Sequence, residues 1–160
     1  MNNIDIDHTT CNQSAATGDF IRYGAPITLA QAQAVAAAAA TEAHANHWPM
    51  VIAVVDSSAQ LVLLHKLDHA QLGSVTVAQE KANTAARFKR PSKIFEDTLA
   101  AGGLGMRLLG TPGICPLDGG LPLLRDGRLV GAIGVSGMQS TQDAQVAAAG
   151  LRAFDALAAA

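Results

Sequence analysis

The chain has 160 residues, of which 49% are hydrophobic and 15% are charged, and its formal net charge is −2. This length and composition suffice for one domain around one core. The basic residues form no cluster beyond residues 87–90, which excludes the charge footprint of a nucleic-acid-binding protein. Because few charged residues are present to cover a monomer, the composition also predicts a homo-oligomer.

The first 25 residues differ in composition from the rest. They are rich in Asn, Asp, Thr and Ser, and they lack the basic start and apolar stretch of a signal peptide or membrane span. We therefore expect a cytoplasmic protein without a membrane partner, with an N-terminal tail (1–25) and a domain (26–160). The tail is either disordered or an arm on a neighbouring subunit. Cys11 and Cys115 lack metal-type spacing and fit a reducing compartment.

The predicted elements begin with a helix and a hairpin. Thr28 and Gln31 match a capping box, and small apolar residues then repeat at helical spacing to about Asn46. Two apolar runs follow, residues 50–55 and 61–67, and a polar turn joins them. This pattern predicts two paired strands, the first of them covered on both faces.

Two further helices follow this hairpin. The first carries a face of small apolar residues to about Phe88, and Ser74 is interpreted as its N-cap. The second is shorter and starts after Pro91. Gly102 and Gly103 supply its left-handed stop.

The last third of the chain predicts a second hairpin and a final helix. Asp126 and Gly127 lie between apolar runs and predict a type I′ turn, which needs positive φ at both positions. The second arm contains three glycines, Gly131, Gly134 and Gly137. Glycine inside a strand indicates a bend or the close approach of another element. Ser140 with Asp143 predicts the cap of the final helix.

The order helix, hairpin, two helices, hairpin, helix determines the fold class. It contains too few strand–helix–strand alternations for a doubly wound parallel sheet. Two hairpins favour an antiparallel sheet with helices packed on it. The sequence therefore predicts an α+β fold.

Reactive side chains concentrate after the first hairpin. Asp68 and His69 lie between a predicted strand and a helix, where loops present functional groups. His69 can serve as general base, haem ligand or metal ligand, or be a surface histidine without chemistry. Ser74 has no nearby base in the sequence. Lys81 either covers the core with its stem or points its ammonium into a pocket.

Other histidines and glycines carry weaker signals. His44 and His47 have i, i+3 spacing at a helix end, but no third metal ligand is near. His65 is either a core histidine or a ligand in an apolar cleft. The glycine-rich segments 102–105 and 131–137 match neither a P-loop nor a dinucleotide-binding fingerprint.

A set of motifs in fixed order resembles one family. These are Leu61-Val62, Asp68-His69-Ala70, Gly73-Ser74, Ala78, Lys81-Ala82, Thr84-Ala85-Ala86, Gly119-Gly120-Leu121-Pro122, and residues 131–137 with Gln142-Asp143. In this order they resemble the GlcG/HbpS-like family, which includes a haem-binding secreted bacterial protein and the C-terminal domain of PduO-type proteins. The resemblance covers residues 26–158.

The resemblance implies a profilin-like α+β domain with a five-stranded antiparallel sheet, assembled into dimers or larger rings. Residues 113–116 are then expected to supply the fifth strand. Some members bind haem or iron, and others are encoded with catabolic enzymes. Family membership alone does not fix the function.

The resemblance also implies a ligand pocket. The matching residues are Asp68, Ser74, Lys81, Gly119, Gly120 and Pro122, with His69 beside them. Asp68 and Lys81 would provide opposite charges for an anionic ligand or for each other, and the glycines would let backbone amides approach it. Haem is the implied cofactor, and His65, His69 and Thr111 are candidates for a contact to the iron or its water.

Two functional hypotheses follow. In the first, the protein is a haem-binding or haem-handling oligomer. In the second, it is a small-molecule enzyme or accessory protein of a catabolic pathway, with Asp68, His69 and Lys81 in acid–base or carboxylate-binding roles. A purely structural oligomer is a third interpretation. Neither catalytic residues nor metal ligands are assigned.

Overall fold

The structure is a computed structural model and describes residues 20–157. The strands are β1 (Arg22–Tyr23), β2 (Val51–Asp56), β3 (Leu61–Lys66), β4 (Gly120–Arg125) and β5 (Arg128–Ser136). The helices are α1 (Leu29–Ala45), α2 (Gly73–Phe88), α3 (Lys93–Ala100) and α4 (Ser140–Ala156), and a 3-10 helix spans Gly103–Gly110. The predicted order of helices and hairpins and the α+β class are confirmed.

The five strands form one sheet around β5. This strand pairs antiparallel with β2 and β4, and β2 pairs antiparallel with β3. The fifth strand is β1, which pairs parallel with β5 through Arg22 and Arg128. The expectation that residues 113–116 form this strand is wrong, because the Cys115 N–H donates to Thr84 Oγ1 on α2 at 2.8 Å. The sheet is therefore mixed, with one parallel pairing.

Both faces of the sheet are covered by helices. Ile52 and Val54 share a core with residues of α1 and α4. Val51 and Ala53 face the other way and pack with Ala78 of α2. Residues 51–55 are all buried, as the apolar run predicted. Within residues 20–157, no helix is long and apolar enough to cross a membrane.

Two local signals in the sequence are confirmed at atomic detail. The Gln31 N–H donates to Thr28 Oγ1 at 3.2 Å, and the Thr28 N–H donates to Gln31 Oε1 at 3.0 Å, which completes the capping box. Asp126 and Gly127 have φ of 51° and 70°. Both positions of the turn are thus left-handed, as a type I′ turn requires.

The interpretation of Ser74 as an N-cap is wrong. Helix α2 begins at Gly73, two residues earlier than a cap at Ser74 requires, and its N-cap position is Leu72, which offers no capping side chain. Ser74 is buried inside the first turn, where its hydroxyl oxygen accepts a hydrogen bond from the Ser136 hydroxyl at 3.2 Å. The serine therefore joins α2 to the end of β5.

The cap predicted for α4 is displaced by one residue. Gln139 is the N-cap and forms a capping box with Gln142. Ser140 is the first helical residue, and its hydroxyl donates to Glu96 Oε2 at 2.7 Å. Asp143 does not cap the helix through Ser140, because its carboxylate is bound to Lys81.

The glycine at position 134 allows α2 to lie directly on β5. A Cβ atom there would collide with the Ala78 carbonyl oxygen and lie 2.5 Å from the Ala82 backbone nitrogen. This confirms the expectation that a strand glycine marks a close approach. The contact fixes the height of α2, and with it Lys81, above the sheet.

Candidate functional site

A buried ion pair joins α2 to α4. Lys81 Nζ lies 2.7 Å from Asp143 Oδ2, and the two side chains are 2% and 3% exposed. The ammonium also donates to the Val135 carbonyl oxygen at 3.0 Å, and Asp143 Oδ1 accepts from the Met138 N–H at 3.0 Å. These further hydrogen bonds are what a buried pair needs to offset its loss of hydration.

Two adjacent glycines make room for this pair. A Cβ atom on Gly119 would lie 2.9 Å from Asp143 Cβ and 3.2 Å from Lys81 Nζ. A Cβ atom on Gly120 would collide with the Lys81 carbonyl oxygen. Gly119 also has φ of 114°, which side chains rarely adopt. The structure therefore brings together three of the predicted site residues, Lys81, Gly119 and Gly120.

The amides of both glycines are hydrogen-bonded within the chain. The Gly119 N–H donates to Asp118 Oδ1 at 2.7 Å, and the Gly120 N–H donates to Ser92 Oγ at 2.8 Å. Ser92 is fully buried at the start of α3. A ligand would have to displace these partners to reach either amide.

Asp118, Cys115 and Glu96 are among the titratable groups near the glycines that have shifted pKa values. Burial raises the pKa of Asp118 and of the Cys115 thiol. Burial also acts to raise the pKa of Glu96, but hydrogen bonds from the Asp118 N–H and the Ser140 hydroxyl, together with the nearby Lys93 ammonium, outweigh it. The pKa of Glu96 is therefore below its ordinary value, and its carboxylate ties the loop before β4 to the start of α4.

The other predicted pocket residues lie apart from the ion pair. Asp68 and His69 are exposed in the loop after β3, and His69 has φ of 67°. Gln71 holds this loop against the β5–α4 connection by donating from Nε2 to the Gly137 carbonyl oxygen at 2.8 Å. Lys81 is paired with Asp143 and not with Asp68.

Pro122 is half-buried within β4, where it pairs with Ala132. Two strands, β5 and β2, separate it from β3, which leads into the loop that carries the exposed Asp68 and His69. The predicted pocket set thus divides into a buried group and an exposed loop.

The structure places the candidate haem contacts in three regions. His65 is half-buried on β3 and pairs with Ile52. Since side chains alternate along a strand, it shares the face of Leu63, which packs with the α1 and α4 core. Lys81 belongs to α2 on the opposite face. Thr111 is exposed after the 3-10 helix, and its hydroxyl donates to the Arg107 carbonyl oxygen at 3.2 Å.

The sequence analysis missed one surface altogether. The 3-10 helix exposes three large apolar side chains, since Leu104 is 70%, Met106 51% and Leu109 67% exposed. We call residues 103–111 the apolar segment. Its signal in the sequence is a run of large apolar residues between glycines that has no helical stripe.

The described residues contain no preformed metal site. Among residues 20–157, no three His, Cys, Asp or Glu side chains come together closely enough to hold a metal ion. His44 and His47 are both exposed at the end of α1. The buried pair itself offers no open acid or base, because both of its charged groups are enclosed and hydrogen-bonded.

Comparison with known proteins identifies relatives across most of the chain. Residues 27–152 match the family described as "Haem degrading protein HbpS-like". The chain is 39% identical to the protein GlcG of Escherichia coli strain K12 over 105 residues, which is 66% of this chain and 77% of GlcG.

Solved structures show the same fold. The Klebsiella pneumoniae protein ORFY aligns with a TM-score of 0.77 and 30% identity, over 86% of this chain and 97% of ORFY. The crystal structure of a PduOC:heme complex aligns with a TM-score of 0.73 and 26% identity, over 80% of this chain and 94% of PduOC. The chain belongs to the HbpS-like family.

Proposed function

We propose that this protein binds haem through the apolar segment. The observation that carries the proposal is the exposure of Leu104, Met106 and Leu109, whose side chains are half or more open to solvent in the described part of the chain. A porphyrin offers a flat apolar face that would remove this surface from water. The family description and the haem complex of PduOC support the choice of ligand.

The polar groups around the apolar segment suit the remaining parts of a haem. The Arg107 side chain is exposed, and a guanidinium is the side chain best suited to a propionate. Met106 carries a thioether, which is a known type of axial haem ligand. The Thr111 hydroxyl keeps free lone pairs for a contact to the iron or its water.

Of the three haem contacts predicted from the sequence, we retain Thr111. It lies at the end of the apolar segment, whereas His65 and His69 lie on the far edge strand and in the exposed loop after it. The alternative function, an enzyme or accessory protein with an Asp68/Lys81 cleft, would require the buried Lys81–Asp143 pair to open first. We therefore favour haem binding.

We also propose that the protein works as a homo-oligomer in the cytoplasm. Exposed apolar side chains outside the apolar segment support self-association, with Leu72 84% and Met138 41% exposed on neighbouring loops. The half-buried free thiol of Cys115 is consistent with a reducing compartment. Light scattering coupled to size-exclusion chromatography should give a mass of at least two chains, and a monomer at all concentrations would contradict self-association.

An absorbance titration with haemin tests the proposed ligand. The intact protein should give a saturable Soret shift, and Leu109→Ser should weaken binding about tenfold, since burying a leucine contributes about 1.5–3 kcal/mol. Leu29→Ser is the matched control, because it removes an exposed leucine from the first turn of α1, outside the apolar segment. No saturable shift, or equal weakening by both variants, would overturn the proposal.

A further inference from the structure

A cleft of about 550 Å³ lies at the end of the sheet next to β1. One wall is formed by Tyr23, Gly24 and Pro26, a second by residues 57–59 in the turn between β2 and β3, and the third by Ala86 and Arg87 at the end of α2. The volume is within the range of small-molecule sites. Among the described residues that line the cleft, Arg87 alone is charged.

The walls of the cleft are held in place by contacts that do not use the Arg87 guanidinium or the hydroxyls of Ser57 and Ser58. The Tyr23 hydroxyl donates to the Arg87 carbonyl oxygen at 3.0 Å, and Lys89 Nζ lies 4.4 Å from the centroid of the Tyr23 ring. Asp56 Oδ1 accepts from the Ser58 and Gln60 amides at 2.8 and 2.9 Å, which closes the turn. The cleft is thus preorganised, which lowers the entropic cost of binding.

Hydrogen-bonding groups are left available in the lining. Within residues 20–157, neither the guanidinium of Arg87 nor the hydroxyls of Ser57 and Ser58 form a hydrogen bond or ion pair. The guanidinium lies beside the backbone of Gly113, where an added Cβ atom would be 2.9 Å from Arg87 Nη1. Arg87, Ser57 and Ser58 all belong to the cleft lining, so a cationic residue and two hydroxyls are available at one cleft.

The surroundings define which anion fits. The carbonyl end of α2 lies at the cleft and carries partial negative charge, and the Asp56 carboxylate is in the adjoining turn. Both disfavour a dianion. A planar guanidinium pairs with a carboxylate through two parallel hydrogen bonds, while Pro26, Ala59 and Ala86 offer apolar contacts.

We infer that this cleft binds a small organic monocarboxylate, with Arg87 on the carboxylate and Ser57 or Ser58 on a second polar group such as a hydroxyl. This inference does not depend on haem binding, because it uses none of the residues of the apolar segment.

The test is a titration of the haem-free protein with lactate, propionate and inorganic phosphate, followed by the backbone amide NMR signals of residues 57–59 and Gly113. Lactate should give saturable shifts confined to the cleft. Propionate should bind more weakly than lactate, because it lacks the hydroxyl. Phosphate should bind more weakly still.

Arg87→Gln should reduce lactate affinity by at least about tenfold, which is the usual loss for a charge-assisted hydrogen bond. Arg152→Gln is the matched control, since it removes an exposed arginine from α4 and should leave the affinity unchanged. Non-saturable shifts, equal effects of the two variants, or tighter binding of phosphate than of lactate would each overturn the assignment.

Discussion

The Lys81 and Asp143 side chains form a pair in which each charge depends on the other. They lie 2.7 Å apart and almost out of contact with water. Removing one partner leaves a buried charge uncompensated, which typically costs 3–5 kcal/mol, whereas removing both costs much less. The pair therefore links α2 to α4, and both charged groups also form hydrogen bonds to the backbone of this chain.

Lys81→Met should therefore lower the free energy of unfolding by about 3–5 kcal/mol. The double variant Lys81→Met/Asp143→Asn should recover much of that loss, because no charge is then left buried. Urea unfolding of the single and double variants measures both effects.

The exposed pair of Lys93 and Asp97 provides the control. Lys93→Met should change the free energy of unfolding far less than Lys81→Met does, because the pair is open to solvent. If Lys81→Met proved as mild as Lys93→Met, the account of the buried pair would be contradicted.

The Glu96 carboxylate makes the free energy of unfolding depend on pH. Its pKa in the folded protein is below the ordinary value of 4.5, because the Asp118 N–H and the Ser140 hydroxyl donate to it and the Lys93 ammonium lies nearby, against the effect of burial. A carboxyl with a lowered folded pKa stabilises the fold above its unfolded pKa. That stabilisation is lost as the pH falls through the folded pKa.

Glu96→Gln should accordingly cost about 1 kcal/mol at neutral pH. The difference from the unmodified protein should shrink as the pH is lowered below 4.5. Urea unfolding at a series of pH values measures this trend. A difference that is constant with pH would show that the carboxylate charge contributes nothing.

Among the secondary-structure elements, helix α1 is stabilised by the capping residue that precedes its first turn. Thr28→Ala removes the side chain that accepts from the Gln31 amide and should cost about 1 kcal/mol. Thr41 serves as the comparison, because its hydroxyl donates to the Ala37 carbonyl oxygen inside the same helix. Thr41→Ala should be neutral or stabilising in thermal unfolding, since alanine is the better helix former. Equal losses in the two variants would contradict the capping role.

The packing of α2 on β5 depends on the missing side chain at Gly134. Gly134→Ala should destabilise the protein by several kcal/mol, at the upper end of overpacking effects, because the new methyl group would meet helix backbone and not a flexible side chain. Gly73→Ala at the start of α2 meets no atom within 4 Å and should be neutral or stabilising. Thermal unfolding of the two variants distinguishes them, and a mild Gly134→Ala would mean that α2 does not lie this close to the sheet.

The elements also show what a sequence can predict. Thr28, Asp126 and Gly127 were assigned correctly, because capping boxes and type I′ turns depend on residues within one turn of the chain. The sequence did not predict β1 as the fifth strand or Asp143 as the partner of Lys81, because each is distant in sequence from the residue that it contacts. The local sequence pattern predicts helix caps at Ser74 and Ser140. Both hydroxyls instead form hydrogen bonds with residues of other elements.

Residues 20–157 combine a sheet that is covered on both faces with the apolar segment and the cleft next to β1, which these residues leave uncovered. Helices bury both faces of the sheet, so the chemistry predicted for Lys81 is enclosed within the protein. The apolar segment and the cleft next to β1 remain open to partners of different kinds. The sequence predicted a haem contact at Thr111 through the family resemblance. It did not predict the segment around it, because apolar residues without periodicity do not reveal whether they are buried.

Paramagnetic relaxation measured by NMR tests the central claim most directly. Ferric haem broadens amide signals close to the iron, whereas gallium protoporphyrin has the same shape and no unpaired electrons. With haem, but not with the gallium compound, the signals of residues 103–111 should lose intensity first. Loss centred on Asp68 and His69, or no selective loss, would contradict haem binding at the apolar segment.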